Sequence, residues 1–131
     1  MNKEEISLLD FLEIVDSLAR LHEWEAKNFP LINSMTGRAL YYRIAQRELS
    51  DDKLSSNTMK ALISDSGFSE KSLRNRINTM AEENFISFSQ NEVDARSKFP
   101  IPKEKFFAAM YLHASQAKRI LEKNFILVKK G

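Results

Sequence analysis

FSEKSLRNRINTMAEENFI, residues Phe68 to Ile86, is the stretch on which the reading of this chain turns. At about 100° per residue, Leu73, Ile77 and Met80 fall on one side of a helix, and Phe85 follows as the chain leaves it. Lys71, Asn75, Asn78 and Glu82 point the opposite way, with Arg74 and Thr79 flanking them. A soluble helix ordinarily puts Glu and Lys on such a face. Two amides beside a Lys and an Arg are instead the groups that read base edges: Asn pairs its donor and acceptor with adenine, and Arg pairs two donors with guanine. Lys71 and Ser72 stand where side chains reach phosphate. The alternative is an ordinary solvated face, which Glu82 suits better because it would repel phosphate. Ser69 is placed to cap the helix, expected over residues 70–83, and Asn84 to end it in left-handed backbone.

Working outward from this helix, Ser55 or Ser56 starts a short helix through about Ser64, with Met59, Leu62 and Ile63 inward. Asp65-Ser66-Gly67 stops it, and Gly67 is the natural left-handed residue. Downstream the period changes from 3.6 to 2. Phe85, Ile86 and Phe88 read as a strand, SQNEVDARS (89–97) as a polar tip, and Lys98 to Ile101 as a returning strand ended by Pro102. Short helix, Gly turn, capped helix and hairpin, over residues 54–101, make a winged helix-turn-helix. In that motif the N-terminal part of the second helix lies in the major groove.

Longer helices flank the motif. Residues 5–28 carry Leu8, Phe11, Leu12, Val15, Leu18, Ala19 and His22 on one broad face, and Pro30 follows the end. Thr36 or Ser34 starts a helix over 36–49, with Leu40, Tyr41, Ile44, Ala45 and Leu49 inward. Residues 103–123 place Phe106, Phe107, Met110, Tyr111, Ala114, Ala117, Ile120 and Leu121 inward or at an interface. FILV, residues 125–128, is an apolar patch with no assigned structure. The long helices offer more apolar surface than one small domain buries. A symmetric homodimer built from residues 5–28 and 103–128 is the expected assembly. The fold class is mainly α with a small β-hairpin, one winged-helix domain over residues 1–131.

The composition agrees. The chain has 131 residues with 43% apolar content, three Gly and three Pro, which suits a largely helical domain. The absence of Cys excludes disulfides and thiolate metal sites. No stretch resembles a signal peptide or a membrane span, and the cytoplasm is the expected compartment. Net charge is +2, unevenly spread: residues 1–35 hold three basic and seven acidic side chains, and residues 91–131 hold nine and four. No paired-His motif, phosphate loop or Cys nucleophile supports catalysis, so neither an enzyme nor a cofactor or metal is expected. His22 and His113 read as packed or surface residues.

The order of these elements resembles the MarR family of transcription regulators over roughly residues 8–122. The most specific match is Asp94-Ala95-Arg96-Ser97 in the wing, which looks like that family's Asp-x-Arg-Ser segment. The resemblance implies that Arg96 enters the minor groove, that Asp94 braces it, and that Lys98 lies near the DNA backbone. A narrow groove concentrates negative potential and attracts Arg. The resemblance thus implies a double-stranded-DNA-binding regulator contacting its site through Ser69, Lys71, Ser72, Arg74, Asn75, Asn78, Arg96 and Lys98. The sequence departs from the family after the wing. Where the family usually has a Thr and then a Gly, this chain reads Phe99-Pro100-Ile101-Pro102-Lys103, which bears on the angle of the closing helix. Family members often bind small aromatic acids near the dimer interface. Trp24, Tyr41, Tyr42 and His22 are candidates to line such an effector pocket, against the plainer role of core or interface residues. The rival to DNA reading is a winged-helix module for protein contacts, or one within a replication or partition complex.

Overall fold

The computed structural model describes residues 6–48, 67–88 and 100–131. The expected short helix over 55–64, Leu49 and the wing tip lie outside the described residues. Helix α1 runs Leu8–Asn28, a 3-10 turn Pro30–Ile32, α2 Met35–Arg47, α3 Glu70–Glu82, strand β1 Ile86–Phe88, β2 Pro100–Pro102, and α4 Glu104–Leu121. The described residues are mainly helical with one two-stranded antiparallel hairpin. None of the described helices is long and apolar enough to cross a membrane.

Helix starts follow the cap chemistry. Ser7 accepts from the Asp10 N–H at 3.1 Å. Ser34, of the two candidates, accepts from the Gly37 N–H at 2.9 Å, and Ser69 from the Ser72 N–H at 3.2 Å. Each satisfies a donor that the first turn leaves without a helical partner. Helix α3 ends as expected. Asn84 has φ 67°, and the Phe85 N–H reaches back to the Met80 carbonyl at 2.9 Å, closing a left-handed cap.

The core lies where the helices meet beneath the hairpin. Phe29, Leu31, Ile32, Leu40, Tyr41, Ile44, Leu73, Ile77, Met80, Ile86 and Phe106 form one buried cluster. It draws on α2, α3, α4, β1 and the 3-10 turn, with Phe29 just past the end of α1 and Trp24 of α1 packed against it. It therefore fixes α3 against α2 and fixes the starts of β1 and α4 against both.

The structure shows which parts of the two long apolar faces the single chain covers, and it corrects one strand boundary. The broad face of α1 (Leu8, Phe11, Leu12, Val15, Leu18, Ala19 and His22) is exposed in the single chain. The helix instead buries Ser17 and Glu25, with Leu21 and Trp24 partly covered. Periodicity identifies an apolar face but not the surface that covers it. Small Ser17, its hydroxyl donated to the Glu13 carbonyl at 3.0 Å, brings nothing bulky to the packed side. In α4, Phe106 and Ile120 are buried, but Phe107, Tyr111 and Ala114 are exposed. The returning strand was expected to be ended by Pro102, yet Pro102 lies within it, paired with Ile86, while Pro100 pairs with Phe88.

The prolines fit by parity. The Lys103 N–H donates inward to the Phe85 carbonyl at 2.9 Å. Alternation gives Ile101 the same inward orientation, so Pro100 and Pro102 direct their nitrogens to the outer edge, where a missing N–H breaks no ladder bond. The carbonyl of Pro100 accepts from the buried Arg47 guanidinium.

Candidate nucleic-acid interface

Helix α3 separates its two faces cleanly. Leu73, Ile77 and Met80 are each 0% exposed, which fixes the rotation of the helix. Lys71, Ser72, Arg74, Asn75 and Asn78 then stand in solvent on the other side, with Ser69 at the helix start. Gly67, with φ 78°, supplies the left-handed backbone that turns the chain into the cap. The Ser69 hydroxyl also bonds the Ser72 hydroxyl at 2.9 Å, holding both at the positive end of the helix.

Hydrogen bonds within α3 engage Arg74 and the neighbouring Thr79. Arg74 donates to the Glu70 carboxylate from Nε at 3.1 Å and from an Nη at 3.0 Å. An exposed i, i+4 pair of this kind is worth well under ~1 kcal/mol, so a stronger acceptor displaces Glu70 readily. Thr79, which flanks that face, turns its hydroxyl to the Asn75 carbonyl at 3.0 Å. Asp94, Arg96 and Lys98 fall outside the described residues.

Sequence reasoning missed the groups that hold this helix in place. Arg76 donates from an Nη to the carbonyls of Pro30 and Leu31, at 3.1 and 3.0 Å. It thereby ties α3 to the 3-10 turn. Its Nε is buried and has no hydrogen-bond partner among the described residues. Gly37 permits this approach: a Cβ there would lie 2.5 Å from the Leu31 carbonyl oxygen and 2.8 Å from Arg76 Nε. At the other end, Lys105 of α4 donates to the Glu83 carbonyl at 2.7 Å and lies 4.4 Å over the Phe85 ring. It gives the negative end of α3 a cation. Arg47 fixes the hairpin from α2, and burial holds its guanidinium below its ordinary pKa while neighbouring Glu48 works the other way.

A polar chain lies under the long helices. The His113 ring is within 2.7 Å of Glu25 Oε2 and 3.0 Å of the Tyr41 hydroxyl, and Arg38 donates to Glu25 Oε1 at 2.9 Å. A neutral His113 satisfies the whole chain, accepting from Tyr41 and donating to Glu25. Burial pushes the Glu25 carboxyl up, but the hydrogen bonds from Arg38 and His113 outweigh it and hold the pKa below the ordinary value. Burial, with Tyr42 and Glu25 nearby, pushes Tyr41 up to about 12. His113 is thus the packed residue expected, while His22 is exposed. Of the effector-pocket candidates, Tyr41 lies in the core and Trp24 stacks on His113 with ring centres 6.4 Å apart. Tyr42 is exposed, and His22 does not join them. No cluster of His, Cys, Asp or Glu among the described residues is arranged to hold a metal ion.

No family model matches the chain, and no curated protein matches it.

Proposed function

We propose that this protein is a sequence-specific, double-stranded-DNA-binding transcription regulator of MarR-like winged-helix architecture, acting in the cytoplasm as a homodimer. The observation that carries the reading is the outer face of α3. Lys71, Arg74, Asn75 and Asn78 stand together in solvent on a helix that is capped at Ser69 and held rigidly by Arg76 and Lys105. Groups on such a helix meet base edges one turn in, while its serines and Lys71 meet phosphate. Outside the described residues, the MarR resemblance adds Arg96 at the minor groove, Asp94 as its support and Lys98 near the DNA backbone. Asn75→Ala should cost about 1–3 kcal/mol on a selected operator and leave binding to random duplex almost unchanged. Folding stability should hold or rise slightly, since Ala is the better helix former. Titration of both duplexes checks this, and a parallel fall on the two would remove Asn75 as a base reader.

The exposed stripe of α1, with Tyr111 and Leu112 on α4, supports the homodimer. Single chains rarely leave so much contiguous apolar surface in water. Leu12→Asp should convert the protein to a monomer in sedimentation at tens of micromolar. Wild-type protein sedimenting as a monomer would sink the dimer.

One observation favours a second reading. Arg74 is already paired with Glu70, and Glu82 shares the outer face, so that face carries acid as well as base. A winged-helix module for protein contacts, or within a replication or partition complex, accommodates those carboxylates without phosphate repulsion. Asn75→Ala leaving operator binding intact would support it.

A further inference from the structure

Among the described residues, nothing answers the charge of Arg76. One Nη donates to the Pro30 and Leu31 carbonyls, at 3.1 and 3.0 Å. The Nε is buried without a partner. The remaining Nη is neither buried nor bonded and meets solvent. The guanidinium thus spends its bonds on neutral oxygens and keeps donors in reserve. One turn away in either direction α3 offers Ser72, Leu73, Thr79 and Met80, and no acid. Arg20, Arg38, Arg47 and Arg74 differ, each with a carboxylate beside it.

A structural tie alone does not need this charge. Covering part of a cation costs solvation that an anion ordinarily offsets. The chain also makes room for the guanidinium at Gly37, where a Cβ would come within 2.8 Å of the Nε. The place of the charge is informative. At about 100° per residue, Arg76 lies on the flank of α3 next to Asn75, one turn beyond Ser72. The opposite flank holds Arg74, already paired with Glu70. A helix about 10–12 Å across fills a major groove about 12 Å wide. Its outer face then meets the bases, and its flanks run beside the phosphate walls.

We propose that Arg76 binds a backbone phosphate of the duplex that α3 enters, presented by the 3-10 turn as a fixed cation. The inference rests on the DNA-binding reading and adds a contact to that site. The two carbonyls hold the guanidinium before DNA arrives, so little side-chain freedom remains to be lost. The solvent-facing Nη meets the phosphate, which is the anion this arginine lacks. The contact carries no sequence information and fixes the register of α3 against one strand.

Arg76→Gln removes the charge and keeps a donor for the carbonyls. Wild type and variant are titrated with a selected operator and with random duplex between about 50 and about 200 mM salt. The slope of log affinity against log salt should shrink by about 0.9 for each copy bound. For a homodimer, wild type then loses about tenfold more affinity over that range than the variant does. Both duplexes should weaken together at low salt, so their ratio holds. Arg76→Lys restores the charge and should restore the slope. An arginine that only ties α3 in place gives the opposite pattern, an unchanged slope with operator preference lost. That pattern, or a slope that Arg76→Lys does not recover, overturns the proposal and leaves the DNA-binding reading standing. If Arg76→Gln does not fold, wild type decides. Its buried Nε–H should give an NMR signal that shifts on adding random duplex at low salt and returns at high salt. A signal that stays in place overturns the proposal. Wild type that binds no duplex at low salt overturns the DNA-binding reading as well.

Discussion

Glu25→Ala should lower the unfolding free energy by about 3–5 kcal/mol, the cost of losing two hydrogen bonds to a buried carboxylate at about 1.5–3 kcal/mol each. The carboxylate is almost wholly buried and accepts from two elements at once, Arg38 of α2 and His113 of α4. Without it the His113 N–H faces a void lined by Trp24 and Phe29. Arg38, about a third exposed, recovers water, which favours the lower part of the range. The melting temperature should fall by roughly 10 °C or more, measured at fixed protomer concentration. The pH dependence has a defined sign. Glu25 is held below its ordinary pKa, so its contribution is complete above the unfolded value and is lost as pH falls through the folded one. Glu25→Gln should remove that acid-side contribution while keeping the volume. A loss below ~1 kcal/mol for the Ala variant would show that the chain of hydrogen bonds does not hold the three helices together.

The second large effect is expected at Gly37. In an open helix, Gly→Ala stabilises by up to about 1 kcal/mol. Here the added methyl would meet the Leu31 carbonyl oxygen at 2.5 Å, and that atom is backbone and cannot swing aside. It would also press on Arg76 Nε at 2.8 Å and on the Ser34 cap at 3.0 Å. The sign therefore reverses, and Gly37→Ala should destabilise by about 2–3 kcal/mol. Relief of the clash moves α2 from the 3-10 turn or strips Arg76 of its carbonyls. Either displaces α3, so under the proposed DNA-binding reading operator affinity should fall further than stability alone explains. Denaturant titration and duplex binding check the two parts. A Gly37→Ala protein as stable as wild type would show that this approach is loose.

Much of α3 and its frame was legible from residue types. Ser69 before a helical period, Gly67 before Ser69, and Asn84 after the period each have a local reason to be where they are, and the structure places them so. In α2 the helical period placed Leu40, Tyr41 and Ile44 inward, and they are buried. What was not legible depends on contacts distant in sequence. Arg76 looks like any surface arginine, because its acceptors lie 45 and 46 residues away. His113 meets Glu25 across 88 residues, and neither spacing nor type announces the pair. The apolar face of α1 was legible as apolar and as more than one small domain buries, and it is exposed in the single chain. A moment along one helix cannot say whether its covering surface belongs to the same chain.

The prolines of β2 carry a consequence for how copies of this chain meet. An exposed strand normally offers alternating donors and acceptors to any passing chain, and so seeds edge-to-edge growth. Along the outer side of residues 100–102 both nitrogens lack a proton, and Arg47 already occupies the Pro100 carbonyl. That side gives an incoming strand almost nothing to pair with. Growth by strand addition is thereby blocked along the outer side of β2, and whatever meets that side must do so through side chains.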